Sequence, residues 1–165
     1  KRKGKINRCL ILCPANLAES WKEIIKSKYH LKCEVASSAK ALERWLRGDD
    51  SGFEIYISSY HKGSVKDDET DTNMVDSLEL SLEKLKSIDL LIIDEIHNVI
   101  GLTNDSVDKR RLANVVSTIS KSRIGLTATP AKAVDKNTYR QFGCYSGTPT
   151  FNFAYDDAIK SNYKL

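Results

Sequence analysis

The sequence predicts an α/β domain built around a mostly parallel sheet. Short apolar runs alternate along the chain with segments whose apolar residues recur at helical spacing, which is the pattern of βαβ units. The two most apolar runs, in residues 8–14 and 88–94, show no polar alternation, as expected for strands that are buried on both faces. The chain has 165 residues, a length that suits one such domain.

Composition excludes several other classes of protein. The hydrophobic fraction is 41% and the charged fraction 29%, values that are not those of disordered, collagen-like or coiled-coil chains. No apolar run reaches the roughly 18 residues of a membrane span. The basic start is not followed by the apolar region and small-residue cleavage site of a signal peptide. A cytoplasmic protein is therefore expected. The net charge, 26 − 22 = +4, is compatible with nucleic-acid binding but does not require it.

The first half of the chain contains three predicted strands and two helices. The strand in residues 8–14 stops at Pro14, and Asn16 is expected to cap a helix that carries Leu17 and Trp21. A weaker strand follows at residues 31–35. Ser38 then caps a second helix, which ends at Gly48, and residues 53–60 form a third strand because β-branched and aromatic residues dominate them.

The second half begins with a polar stretch, residues 61–77, which is predicted to be an acidic surface insertion. Leu78, Leu82 and Leu85 mark an amphipathic helix. The remaining predicted elements are a buried strand, a helix and two short strands, at residues 88–94, 109–121, 123–126 and 151–155.

Two adjacent carboxylates, Asp94 and Glu95, follow the most apolar strand. Ligands of open α/β sheets bind at the carboxyl ends of the strands, and two acidic groups there repel each other unless a cation or a proton is present. A Mg²⁺–phosphate complex supplies such a cation. Asp94 would then orient the metal through water, and Glu95 would polarise the attacking water. The alternative is that both residues only end the strand and cap the next helix.

A second polar turn, Thr127-Ala128-Thr129-Pro130, follows the short strand at residues 123–126. A parallel sheet brings this turn to the same edge as Glu95 and His97, where a pair of hydroxyl groups can contact the acidic cluster. The alternative is an ordinary hydroxyl-rich helix cap.

These motifs carry a family resemblance. Asp-Glu-Ile-His at 94–97 resembles the D-E-x-H Walker B motif of superfamily 2 helicases and translocases, and residues 127–130 resemble their [ST]-A-T motif. Residues 10–17 with Trp21, and residues 57–60, resemble two nucleic-acid-contacting motifs in the family's order. The resemblance spans roughly residues 8–130 and implies the first RecA-like motor domain, a three-layer sandwich.

The resemblance also implies cofactors, partners and roles. The cofactors are ATP and Mg²⁺, and the partners are DNA, with RNA left open, and a second RecA-like domain of the same motor. His97 would couple the nucleotide site to Thr127 or Thr129. The residues expected at the nucleic-acid backbone lie after the first and third strands; they are Pro14, Ala15, Asn16, Leu17, Ser58, Ser59 and Tyr60.

The tail narrows the resemblance. Residues 151–159 and 163–165 resemble the segment that closes this domain in type I and type III restriction motor subunits and related repair helicases, although Asn162 stands where the family often has Gly. Swi/Snf-type translocases of double-stranded DNA rank second, because they usually carry T-G-T-P rather than T-A-T-P.

The family's Walker A loop, G-x-x-x-x-G-K-[ST], is missing from the 165 residues. Gly4 and Lys5 are followed by Ile6 and lie too close to the first strand to leave room for a helix. The chain is therefore expected to be an N-terminally truncated domain, 1–165, that is inactive as an ATPase on its own. A catalytically inactive binding or assembly module with a degenerate motor fold is the alternative.

The remaining candidates for chemistry have structural interpretations. The four cysteines lack zinc-site spacing and are expected to be buried free thiols. His30 and His61 are expected at the surface. Trp21 and Trp45 are expected in the core rather than as platforms for stacking bases.

Overall fold

A computed structural model describes residues 6–49, 52–66, 73–100 and 107–127. Its centre is a five-stranded sheet with the order β2-β3-β1-β4-β5. Every neighbouring pair of strands is parallel, so the predicted α/β class with a parallel sheet is confirmed. The strands are β1 (Cys9–Cys13), β2 (Cys33–Val35), β3 (Ile55–Ser59), β4 (Ile88–Ile93) and β5 (Ser120–Gly125).

Helices connect the strands in the described residues. The α-helices are α1 (Ala18–Tyr29), α2 (Ala39–Arg47), α3 (Met74–Glu79), α4 (His97–Ile100) and α5 (Val107–Thr118). Short 3₁₀ helices span Ala15–Leu17, Tyr60–Ser64 and Leu82–Lys84.

The strand β1 shows how the sheet separates two cores. All five of its residues are buried, and successive side chains point to opposite faces. Cys9, Ile11 and Cys13 pack in one cluster with Ile25 of α1, whereas Leu10 and Leu12 belong to the larger cluster that includes residues of α2, α3 and α5. The sheet therefore lies between two helical layers, as predicted.

The connections leave the neighbouring strands β1 and β4 toward opposite faces. Leu12 of β1 pairs with both Ser58 of β3 and Ile93 of β4. The chain after β1 enters α1 on one face, whereas the chain after β4 enters α4 and α5 on the other. This reversal creates a topological switch point between the carboxyl ends of β1 and β4, where α/β proteins have their ligand crevice.

Some of the predicted helix boundaries agree with the structure and others do not. Ser38 caps α2 by accepting a hydrogen bond from the amide of Ala41 at 3.1 Å, and Gly48 ends it with φ of 87°, so both predictions are confirmed. The prediction for Asn16 is wrong, because the chain enters a 3₁₀ turn there and α1 has no side-chain cap. The prediction of one continuous helix through Leu78, Leu82 and Leu85 is also wrong, because α3 ends at Glu79 and a 3₁₀ turn follows.

The segment predicted as an acidic insertion divides into three parts. It begins with a 3₁₀ helix over Tyr60–Ser64 and ends in α3, where Met74 and Val75 are buried. Residues 67–72 lie outside the described part of the chain, as does the predicted strand at 151–155.

Several single-residue predictions can be compared with the structure. Cys9, Cys13 and Cys33 are free and buried, as predicted, and Cys144 lies outside the described residues. His30 and His61 are exposed. Among the described residues, no helix is both long and apolar enough to cross a membrane.

Candidate functional site

The carboxyl edge of the sheet collects the ends of four strands. Pro14 follows β1, Tyr60 follows β3, Asp94 follows β4, and Leu126 and Thr127 follow β5. Backbone bonds hold the centre of this edge: the amide of Asp94 donates to Leu12 at 2.8 Å, and that of Leu126 donates to Ile93 at 2.8 Å. The acidic turn after β4 is therefore fixed between β1 and β5.

The turn after β4 has an unusual backbone. Glu95 has φ of 49°, the left-handed region that costs an L-residue other than Gly free energy. The amide of Ile96 donates to Leu126 at 2.9 Å, and the Ile96 side chain packs where a Cβ of Gly125 would lie. The strain at Glu95 is thus maintained by contacts with the end of β5.

The structure brings His97 and Thr127 together, as the sequence predicted. The His97 Nδ1 lies 2.9 Å from the Thr127 Oγ1 and 3.2 Å from the Glu95 Oε2. His97 begins α4, and Thr127 lies just beyond β5, so this side-chain contact joins the ends of two neighbouring strands. Ala128 and Thr129 lie outside the described residues.

Glu95 keeps one carboxylate oxygen without a hydrogen bond. Its side chain is 31% exposed, yet the Oε2 atom is buried and has no hydrogen-bond partner among the described residues. The nearby His97 Nδ1 carries at most one proton or one in-plane lone pair, and its shorter contact is with Thr127. The 3.2 Å approach of His97 Nδ1 to Glu95 Oε2 is therefore a close contact and not a hydrogen bond.

Asp94 is held at both carboxylate oxygens. The Trp21 indole Nε1–H donates to Oδ2 at 2.9 Å, and the Glu95 backbone amide donates to Oδ1 at 3.0 Å. Each carboxylate oxygen has about two acceptor positions, so each retains one for a further donor such as a metal-bound water.

The groups beneath this edge stay neutral. Burial raises the pKa of Cys13 to about 12, and the charge of Asp94 adds to the shift. Burial also raises the pKa of Tyr60, while a hydrogen bond from Asn98 opposes the shift. Among the described residues, the acidic side chains of this edge are Asp94 and Glu95.

Mg²⁺ differs from other metals in the number of protein groups it requires. It is usually bound through only one or two carboxylates, together with phosphate oxygens and waters. In the described part of the chain, no three or more His, Cys, Asp or Glu residues are grouped so that they could hold a metal ion. Asp94, with a free acceptor position on each oxygen, is the residue that fits this role.

The predicted nucleic-acid residues fall into two groups. Ala15 and Asn16 are exposed, and Pro14 and Leu17 are half-buried, so the 3₁₀ turn after β1 is accessible. In contrast, Ser58 is 0% and Tyr60 2% exposed.

The burial after β3 is at odds with direct phosphate contacts. The Ser58 hydroxyl donates to the Ser59 carbonyl at 3.3 Å, and Ser59 is itself only 8% exposed. The Tyr60 Oη accepts from Asn98 Nδ2 at 3.2 Å. The sequence motif could not reveal this burial, because the 3₁₀ helix that follows β3 packs against α3 and α5.

Two side chains at the edge were missed as functional candidates. Trp21 belongs to the motif at residues 10–17 in the sequence prediction, which expects its side chain in the core. It does pack beside one core cluster, but its indole nitrogen reaches Asp94. Asn98 is not among the predicted site residues. Neither contact has a sequence signal, because each joins residues that are distant along the chain.

Comparison with known proteins shows that this domain belongs with the helicase-like motor domains. The family model described as "Type III restriction enzyme, res subunit" matches residues 1–132, so the chain belongs to that family. The predicted superfamily is confirmed. No curated protein matches the chain.

A solved structure is also similar, the Hef helicase domain of Pyrococcus furiosus. The TM-score is 0.37 at 14% sequence identity, and the match covers 86% of this chain and 34% of the Hef chain. The present chain thus spans about a third of the length of that structure.

Proposed function

We propose that this chain is the part of an ATP-driven nucleic-acid motor that activates the water for ATP hydrolysis. The observation that carries this proposal is the state of Glu95. Its Oε2 is buried without a hydrogen-bond partner in the described residues, on a strained turn at the edge where α/β proteins bind ligands. A carboxylate without a donor is available to accept a proton from water.

Asp94 is proposed to hold Mg²⁺ through water. When bound, Mg²⁺ neutralises charge that develops on the phosphate oxygens. The chain's own contribution is orientation: the bonds from Trp21 and from the Glu95 amide restrict the Asp94 carboxylate to one position. That restriction supports a role for Asp94 next to the base.

His97 and Thr127 are proposed to couple the nucleotide site to the rest of the motor. Their 2.9 Å contact joins the acidic turn to the end of β5, so a movement of either strand end changes the surroundings of Glu95. Ala128 and Thr129 belong to the same proposed coupling motif, on the basis of the sequence.

The nucleic-acid interface is proposed on the exposed turn of residues 14–17. Contacts there would go mainly to phosphates, because a motor must move over any sequence. Given their burial, Ser58, Ser59 and Tyr60 are proposed to support this interface from beneath. DNA is the proposed polymer, and a second RecA-like domain of the same motor is the proposed partner.

The alternative is a catalytically inactive module that keeps only the motor fold. These 165 residues do not contain G-x-x-x-x-G-K-[ST], the loop on which triphosphate affinity largely depends. The 165 residues by themselves are therefore proposed not to hydrolyse ATP. The family match supports the restriction-type motor over a Swi/Snf-type translocase.

The test is Glu95→Gln in the full-length gene product that contains these residues. The amide keeps the shape but cannot act as a base, so nucleic-acid-stimulated ATP turnover should fall by about 100- to 10,000-fold. Binding of ATP–Mg²⁺, measured by fluorescence anisotropy of a labelled nucleotide, should change less than about threefold, which is under about 0.7 kcal/mol in binding free energy.

Exposed Glu83, in the 3₁₀ helix Leu82–Lys84, supplies the matched control for that experiment. Glu83→Gln makes the same chemical change away from both the acidic turn and the 14–17 turn, and it should leave turnover intact. Turnover that survives Glu95→Gln would remove Glu95 from its proposed role and favour the inactive module.

A further inference from the structure

We propose that Trp21 is a positioning residue for ATP hydrolysis, linking the turn at residues 14–17 to the Asp94 carboxylate. The inference rests on the proposed function, because it assigns Trp21 a part in the same reaction. Its basis is the 2.9 Å hydrogen bond from the indole Nε1 to the Asp94 Oδ2, a contact between residues 73 positions apart.

The bond spans the switch point of the sheet. Trp21 belongs to α1, which covers one face, and Asp94 lies on the turn that leads into α4 on the other face. The strands β1 and β4 are direct neighbours, and their outgoing connections diverge at this point. The indole therefore crosses the crevice in which ligands of such sheets bind.

Trp21 lies one turn into α1, close behind the exposed 3₁₀ turn. The amide of Leu17 donates to the carbonyl of Pro14 at 3.0 Å, and α1 follows without a break from Ala18. A displacement of the 14–17 turn by a bound phosphate backbone would thus move α1 and its indole donor. The indole would transmit that movement to Asp94.

From Asp94 the contact continues to the proposed base. The Asp94 Oδ1 accepts the backbone amide of Glu95 at 3.0 Å, and this amide belongs to the residue with the left-handed φ of 49°. A rotation of the Asp94 carboxylate would release the Glu95 backbone from one of its constraints. The order of contacts is therefore α1, Trp21, Asp94 and Glu95.

The second tryptophan of the chain provides a matched control. Trp45 is 0% exposed and stacks on Tyr56 with ring centroids 5.1 Å apart. Its Nε1 is buried without a hydrogen-bond partner within the described ranges. Loss of the indole N–H should therefore change ATP binding and turnover at position 21 and not at position 45.

The experiment replaces each tryptophan in turn by its benzothienyl analogue, in which sulfur takes the place of the indole N–H. It uses the full-length gene product. Trp21→Phe serves as a second, genetically simpler variant. The first measurement is the Mg²⁺ concentration that gives half-maximal binding of labelled ATP, determined in a Glu95→Gln background so that no turnover interferes.

The second measurement is the ratio of nucleic-acid-stimulated to basal ATP turnover, with Glu95 intact. The analogue at position 21 should raise the half-saturating Mg²⁺ concentration and lower the stimulation ratio, each by about three- to tenfold, because a hydrogen bond to a charged group is lost. The analogue at position 45 should change neither quantity.

The outcomes separate this inference from the proposed function. If Glu95→Gln abolishes turnover but the analogue at position 21 leaves the Mg²⁺ dependence and the stimulation ratio unchanged, the positioning role of Trp21 is wrong. Equal losses at positions 21 and 45 would also overturn it, since they would report on packing. If Glu95→Gln has no effect on turnover, the proposed function itself fails.

Discussion

Carboxylates lie near both ends of strand β4, and they differ in the hydrogen bonds that they accept. Near its start, the Asp89 Oδ2 accepts the amides of Asn7 at 2.8 Å and Arg8 at 3.2 Å, and its Oδ1 accepts Lys121 Nζ at 2.7 Å. Beyond its end, the buried Oε2 of Glu95 has no hydrogen bond in the part of the chain described.

The pairing of Asp89 is that of a structural carboxylate. Hydrogen bonds from Lys121 and from the two backbone amides lower its pKa to about 2, so it is charged at neutral pH. Its three donors fix β4 to the segment before β1 and to β5. Paired carboxylates of this kind add to the stability of the folded state.

The turn at the other end of β4 stores strain. Glu95 adopts a left-handed φ, and such strain persists where contacts around it impose it, commonly at functional sites. The carboxylate near the amino end of β4 thus contributes to stability, whereas the carboxylate beyond its carboxyl end is the one proposed to act in the chemistry. Substitutions at the two ends should therefore have opposite signatures.

A large difference in ATP turnover is expected between Asp94→Asn and Asp89→Asn. Asp94→Asn removes the charge proposed to hold Mg²⁺, so ATP turnover of the full-length protein should fall about 10- to 100-fold. Asp89→Asn should leave turnover unchanged. Steady-state ATPase assays at several Mg²⁺ concentrations check both, and a similar loss in the two variants would abolish the distinction between the ends.

A smaller effect is expected from the backbone of Glu95. Glycine adopts left-handed φ without the steric cost that an L-residue pays, although it loses more entropy on folding. Glu95→Gly should therefore be about 0.5–1 kcal/mol more stable than Glu95→Ala. Urea unfolding of the two variants measures the difference, and an alanine variant that is equally or more stable would mean that the turn stores no strain.

The sequence predicted which residues lie at the carboxyl edge of the sheet better than it predicted the side-chain contacts across that edge. The positions of Asp94, Glu95 and His97 follow from a buried parallel strand and its polar end. The contact between Trp21 and Asp94 depends on the placement of α1 over the crevice, which local patterns do not encode. The apolar spacing of Trp21 indicated burial and said nothing about its indole nitrogen.

Local signals succeeded where a single residue determines the backbone. Ser38 and Gly48 mark the two ends of α2. Both ends were predictable because a side-chain cap and a left-handed φ are local properties. The burial of Ser58 was not predictable in the same way. It is due to β3 lying between β2 and β1 with helical layers on both sides, which is a property of the whole sheet.

A stability effect of similar size concerns pH and the amino end of β4. Because the pKa of Asp89 is lowered when the protein folds, its contribution is present above the unfolded value near 4 and is lost as the pH falls toward 2. Asp89→Asn should cost about 1 kcal/mol at pH 7. The cost should shrink between pH 4 and pH 2, as followed by urea unfolding, and a constant cost would contradict the assigned pairing.

The most direct test of the account measures chemistry and stability together at the two ends of β4. Single-turnover ATP hydrolysis and urea unfolding are recorded on full-length Glu95→Gln and Asp89→Asn proteins. We predict that Glu95→Gln binds ATP but hydrolyses it at least about 100-fold more slowly with unchanged stability, whereas Asp89→Asn loses stability and hydrolyses ATP normally. Normal hydrolysis by Glu95→Gln would contradict the account.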